Sequence, residues 1–205
     1  AFEPNPLAFK CLQYNCKTSI NLPFGLSEKA CILPFSSSSN VGAGHFFNPL
    51  LNGRTGGQLR SLPQSNPDNF ESFPLISLDS MLIRNVGFVK MDVEGFEVFA
   101  LRGAFQTINL CRPNIWLEVS PDLLLRARSS LRDLIRILKS LKYVPLWGIG
   151  EPIQSDIMFV PRRRYQAELS VSSNMTGVIL FNANERPTWA GFRNHFSGYL
   201  SSMHN

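Results

Sequence analysis

The chain has 205 residues, 44% of them apolar, and a formal net charge of +5. This composition belongs to the ordinary globular class and sets one domain as the default. Much of the excess charge comes from Arg60, Arg84, Arg102 and the run Arg162-Arg163-Arg164, with no long basic stripe interleaved with aromatics, so nucleic-acid binding is not indicated. The arginine run reads first as a solvated loop and second as a phosphate patch.

In chain order, Ala1-Phe2-Glu3 looks like the end of a strand. No initiator methionine precedes it, and the expectation is a natural domain cut at this point. Asn5 suits an N-cap and Pro6 the first helical position, opening a helix that ends near Lys17. Ile20 to Leu26 and Cys31 to Phe35 are candidate strands around a turn at Gly25 to Lys29. Residues 36–73, rich in Ser, Gly and Pro, have little periodicity and form a loop or insertion. Phe46-Phe47 and Leu50-Leu51 argue that part of this segment packs down.

Order returns over Pro74 to Ile83, where a short strand leads into a helical turn that Ser77 or Asp79 caps. A buried strand over 86–91 comes next, then a helix from Gly95 to about Asn109. Cys111-Arg112-Pro113 stops that helix before the apolar strand Asn114 to Val119. Ser130 to Tyr143 is the clearest amphipathic helix, with Leu131, Leu134, Ile135, Leu138 and Leu141 on one stripe. Val144 to Trp147 and Asp156 to Val160 are two last strands, read as a hairpin across Gly148-Ile149-Gly150. After Pro161 only Val178 to Phe181 resembles a strand, and the tail from Thr188 offers little core. Strands alternating with helices predict an α/β sheet with helices on its faces and a closing pair of strands that runs antiparallel.

Cys11, Cys16, Cys31 and Cys111 show no CxxC spacing, and His45, His195 and His204 are scattered, so no zinc signature forms and no metal is expected. Unpatterned cysteines without a signal peptide point to a reducing, cytoplasmic location. No apolar stretch is long enough to span a bilayer. Asn174-Met175-Thr176 fits a glycosylation acceptor, a three-residue match that arises by chance.

Acids mark where chemistry is expected. Val89-Lys90-Met91-Asp92-Val93-Glu94-Gly95-Phe96-Glu97 carries a strand into three carboxylates and a glycine, at the edge where open α/β sheets bind ligands. Asp92 and Glu94 share a side if the backbone stays extended, and Gly95 permits a tight turn. Lys90 is their candidate counter-charge. Glu97, in the first helical turn, is explained equally well by the helix dipole. Glu3, ending a strand before a helix, suits ribose hydroxyls in nucleotide-binding sheets or a simple dipole contact. Glu118 is a partner for a basic group, part of the same cleft, or an exposed strand end. Gly25-Leu26-Ser27 is a weak candidate for an adenine pocket, and His45 a weak candidate base. No Ser/His/Asp or Cys/His constellation follows from the spacings.

Taken together, these segments resemble the FkbM family of S-adenosylmethionine-dependent methyltransferases. The matching pieces are Ala1 to Pro6, Gly25 to Lys29, Ser77-Leu78-Asp79, Val89 to Glu97, Leu101-Arg102-Gly103-Ala104 and Arg112 to Val119. The likeness runs from residue 1 to Pro161, followed by an extension over 162–205. The resemblance implies a Rossmann-like class I methyltransferase, a three-layer sandwich with a mostly parallel sheet and an antiparallel last strand. It implies methyl transfer from S-adenosylmethionine to an oxygen of a sugar or small molecule, with a small-molecule or glycan acceptor as partner. By that analogy Glu3 holds the ribose hydroxyls and Gly25, Leu26 and Ser27 border the adenine. Asp92 and Glu94 sit near the sulfonium and the acceptor as catalytic residues, with Glu97 and Glu118 behind them.

The family's first strand and glycine-rich loop precede the Glu-Pro segment, and this sequence starts after them. The expectation is therefore a fragment that binds the cofactor poorly and is inactive alone. Two other readings are a non-catalytic methyltransferase-like binding module and a nucleotide-dependent oxidoreductase. An intact Gly-x-Gly loop upstream would favour an enzyme.

Overall fold

Strict alternation along Asn114 to Val119 builds the centre of the molecule, because successive strand residues face opposite sides of a sheet. Ile115, Leu117 and Val119 enter the main core, whereas Trp116 packs with Val144, Leu146, Trp147, Val160 and Tyr165 on the other face. The computed structural model describes residues 1–37, 44–46, 71–172, 179–181 and 189–201. Most of segment 36–73, with Phe47, Leu50 and Leu51, lies outside them, as do Asn174-Met175-Thr176 and His204; of His45 only the backbone is described.

Helix α1 (Pro6–Asn15) starts where expected: the Asn5 side chain accepts from Leu7 N and Ala8 N. Strand β1 (Gly25–Leu26) pairs in parallel with β4 (Glu71–Ile76). Strand β2 (Cys31–Ser37) runs antiparallel to β4 and to β3 (Gly44–Phe46). Gly25-Leu26 is thus the end of the strand expected over Ile20 to Leu26, and the turn begins after it. Phe2 forms an isolated parallel bridge to Leu22, with Glu3 N donating to Leu22 O at 3.1 Å.

The second sheet has the order β5-β6-β8-β7-β9. Its members are β5 (Phe88–Met91), β6 (Asn114–Val119), β7 (Tyr143–Glu151), β8 (Gln154–Pro161) and β9 (Ile179–Leu180). β5 and β6 are parallel, and β8 is antiparallel to both β6 and β7, the reversed strand that the resemblance implies. Of the described ladders two are parallel and five antiparallel; beyond the reversed strand, the antiparallel excess over a mostly parallel sheet comes from β2, β3 and β9. The closing hairpin turns at Pro152-Ile153 rather than at Gly148 to Gly150. Pro145 cannot donate to a ladder, and the register shifts between Pro145 and Trp147 to accommodate it.

The helix expected over 95–109 is two helices, α2 (Glu97–Gly103) and α3 (Phe105–Cys111), with a break at Ala104. Asp79 supplies the missing cap, because its carboxylate accepts from Gln106 N at 2.9 Å and Thr107 N at 2.8 Å. Ser77, not Asp79, caps its own 3-10 turn Leu78–Met81. Gly103 is required by close approach: a Cβ there would lie 1.9 Å from Ser27 O. α4 (Pro121–Arg126) was not legible in the sequence, and α5 (Leu131–Ser140) buries Leu131, Leu134, Ile135 and Leu138.

Layers follow from these faces. α2 and α5 cover one side of the second sheet and α6 (Tyr165–Ser172) the other. The tail contributes more than expected: Trp189, Phe192 and Phe196, on and beside α7 (Ala190–His195), lie in the main core. His195 Nε2 lies 2.9 Å from Ser155 Oγ, and that hydroxyl also donates to Glu151 O at 2.6 Å. With its proton committed to a carbonyl, Ser155 is a latch for the tail rather than an activated nucleophile.

Candidate active site

The edge of β5 away from β6 faces the Phe2-Glu3 segment, and between them lies a cleft of about 560 Å³. Glu3, Gly25, Leu26, Lys90, Asp92 and Glu94 all line it. Residues from three separate stretches of sequence therefore meet in one hollow, at the carboxyl end of β5. Ser27 does not line it. It is 7% exposed, its N–H donates to Ile76 O, and its carbonyl lies under Gly103.

The strand stops at Met91 and the chain turns sharply. Glu94 has φ +51° and Gly95 φ +97°, so the extended backbone that would align Asp92 with Glu94 ends before Glu94. The turn is held from within. Glu97 Oε1 accepts from Gly95 N at 3.2 Å and from Val93 N at 3.4 Å. Glu97 is 2% exposed, and its Oε2 has no hydrogen-bond partner among the described residues. Glu97 does lie in the first turn of its helix, and it is also a buried post under the acidic turn.

Electrostatics separate the acids. Lys90 Nζ lies 3.4 Å from Asp92 Oδ2, the expected counter-charge, with both side chains well exposed. Such a pair adds little stability. Burial raises the Glu94 carboxyl above its ordinary value, and Asp92 raises it further while Arg126 opposes. Glu118 is also raised by burial, with Asp92 and Glu94 adding to the shift and a hydrogen bond from Gln154 Nε2 opposing it. Glu118 does not itself line the cleft; the Gln154 amide donates to it, and its carboxyl also meets that of Asp92. Burial pushes Glu97 to about 7, against the pull of its backbone hydrogen bonds.

A pH dependence follows for Glu97. Its folded pKa is raised above the unfolded value, so the unfolded state releases the proton first. Stability is retained below about pH 4.5 and falls as pH rises toward 7. The upward shift amounts to roughly 3 kcal/mol. Glu97→Gln keeps an oxygen for Val93 N and Gly95 N but carries no titrating proton. Melting temperatures at pH 5 and pH 8 are expected to differ less in Glu97→Gln than in the natural protein. An unchanged difference would place the proton elsewhere.

Sequence reasoning missed Phe96, 2% exposed at the wall of the cleft, and the two residues that tune the acids, Arg126 and Gln154. The apolar gap between Glu94 and Glu97 was the available signal for Phe96. Gln154 reaches Glu118 only because β6 and β8 pair Glu118 with Asp156, a register unavailable before the fold.

Fold and cleft together define an α/β protein of the Rossmann-like kind with acids gathered at a parallel strand end. The family description "Methyltransferase FkbM domain" matches residues 1–145, and the chain belongs to that family. Comparison with curated proteins gave no match. Among solved structures, the crystal structure of methyltransferase FkbM from Methylobacillus flagellatus KT is similar over 78% of this chain, at 18% identity and a TM-score of 0.48. The similarity covers 35% of that protein, so the chain spans about a third of its length. No helix among the described residues is long and apolar enough to cross a membrane.

Proposed function

We propose that the full-length protein to which this domain belongs transfers a methyl group from S-adenosylmethionine to a hydroxyl oxygen of a sugar or other small molecule. The convergence of Glu3, Gly25, Leu26, Asp92 and Glu94 on one cleft carries the reading, together with family membership. Its volume of about 560 Å³ is in the range of small-molecule sites. The donor set suits the cofactor, since carboxylates complement a sulfonium cation and a strand-end glutamate complements ribose hydroxyls.

When bound, S-adenosylmethionine supplies an electrophilic methyl group. Glu3 Oε1 accepts from Asn5 N at 2.8 Å, which fixes the side chain and leaves Oε2 for hydroxyl donors. Gly25 and Leu26 offer a flat, side-chain-poor wall for the adenine. Asp92 would orient the acceptor hydroxyl and take its proton. Glu94, raised by burial and by Asp92, supplies a second carboxyl on the same wall.

Calorimetry of the full-length protein with S-adenosylmethionine tests this assignment. Glu3→Gln keeps the contact to Asn5 N but loses the charge that strengthens bonds to two hydroxyls. Affinity is expected to fall about 10-fold or more, with the melting temperature unchanged. Equal affinity in the variant would remove Glu3 from the site.

A further inference from the structure

Arg162-Arg163-Arg164, left unabsorbed by the proposed chemistry, opens onto a second hollow. It lies at the amino-terminal ends of β6 and β7, the edge of the sheet opposite the acidic cleft. Its volume is about 950 Å³, and Arg112, Lys139, Lys142, Arg162 and Arg163 line it with no acidic side chain among the described residues. Family chemistry at Asp92 and Glu94 gives this hollow no task.

Part of the charge has a structural use. Arg112 Nη1 donates to Leu141 O at 2.5 Å and Nη2 to Lys142 O at 3.3 Å, with the guanidinium 4.8 Å from the Tyr143 ring centre. Lys139 sits in the last turn of α5, where a cation is favourable, with its ammonium 5.7 Å from the Trp189 ring centre. Helix-end stabilisation therefore accounts for two of the five cations. It does not account for Lys142, Arg162 and Arg163, which are exposed and in no ion pair among the described residues.

Arrangement, not mere composition, concentrates this charge. Arg162 N donates to Lys142 O at 2.9 Å, which brings the arginine run against the turn before β7. Arg164 donates to Arg112 O, and its buried Nε has no partner among the described residues. Burial lowers the Arg112 guanidinium from its ordinary value; Tyr143 opposes this, and Arg163 and Arg164 add to it. Lys139 is lowered by burial and by Arg193. Like charges held together in this way are relieved by a counter-anion. Fork-shaped guanidinium donors match phosphate oxygens especially well.

We propose that the hollow formed by Arg112, Lys142, Arg162 and Arg163 binds an anion carrying two or more linked phosphate groups. A single phosphate engages only part of so wide a site, whereas a chain of phosphates meets donors on both walls. The ligand chemistry is shared by soluble polyphosphorylated molecules and by phosphorylated lipid headgroups.

Titration calorimetry of the chain with sodium tripolyphosphate at physiological salt, paired with flotation on vesicles with and without phosphatidylinositol bisphosphate, tests the site. Tripolyphosphate is expected to bind, and Arg162→Gln/Arg163→Gln is expected to weaken it at least 10-fold. Arg128→Gln, an exposed control at the other edge of the sheet, is expected to leave it unchanged. Lys142→Gln replaces the double variant if circular dichroism shows that the latter does not fold. Flotation together with tripolyphosphate binding identifies a headgroup as the source, and binding without flotation a soluble ligand. Absence of tripolyphosphate binding, or equal weakening by Arg128→Gln, overturns the proposal.

Discussion

Gly95→Ala is expected to destabilise the protein by roughly 2–6 kcal/mol, from left-handed backbone strain of about 1–3 and overpacking of about 1–3. Two independent observations set this size. Gly95 has φ +97°, and a Cβ built on it would lie 2.2 Å from Leu123 O, a backbone atom of α4 that cannot swing aside. Relief requires α4 to move away from the acidic turn, which also moves Arg126, the cation facing Glu94. The same substitution is therefore expected to cost both stability and ligand binding. Denaturant unfolding measures the first part. A loss below about 1 kcal/mol would mean that the turn relaxes cheaply and that the geometry around Gly95 is not rigid.

The glycine is also where the sequence was most legible. Strand, acid and glycine in one short run located the turn, which Glu94 and Gly95 make with positive φ. Asn5, Ser77 and the strand Asn114 to Val119 were legible for the same reason: capping and alternation are local properties. What could not be read was non-local. The break between α2 and α3 depends on Asp79, 27 and 28 residues before the amides it accepts from. Burial of Glu97 depends on Val93 and Gly95 folding back over it, so the local pattern showed its place in the first helical turn but not its burial. The aromatic tail lacked periodicity, yet Trp189, Phe192 and Phe196 fill the core through an edge-to-face and tilted cluster with Phe159 and Phe181. Its packing partners are distant in sequence, and composition alone could not supply them.

Asp92→Asn is expected to lower kcat by about 100- to 10,000-fold while cofactor affinity changes little, the range found for loss of a positioned base. Methylation of a hydroxyl adds a carbon to the oxygen, and the proton must leave. Asp92 lines the cleft beside Lys90 and can receive it, whereas an amide of the same shape cannot. Its side chain is 44% exposed, so solvent screens its contribution to holding a cation and the affinity loss stays small. The substitution acts on Glu94 as well. Asp92 helps raise the Glu94 carboxyl, so removing that charge lets Glu94 ionise at lower pH and become a weaker base. Both effects reduce proton transfer and neither requires the cofactor to leave. Measuring kcat and cofactor Kd separately in Asp92→Asn decides the role. A large loss of affinity with kcat preserved at saturation would make Asp92 a cofactor ligand and pass the proton to Glu94. A loss confined to kcat fixes Asp92 as the group that takes it.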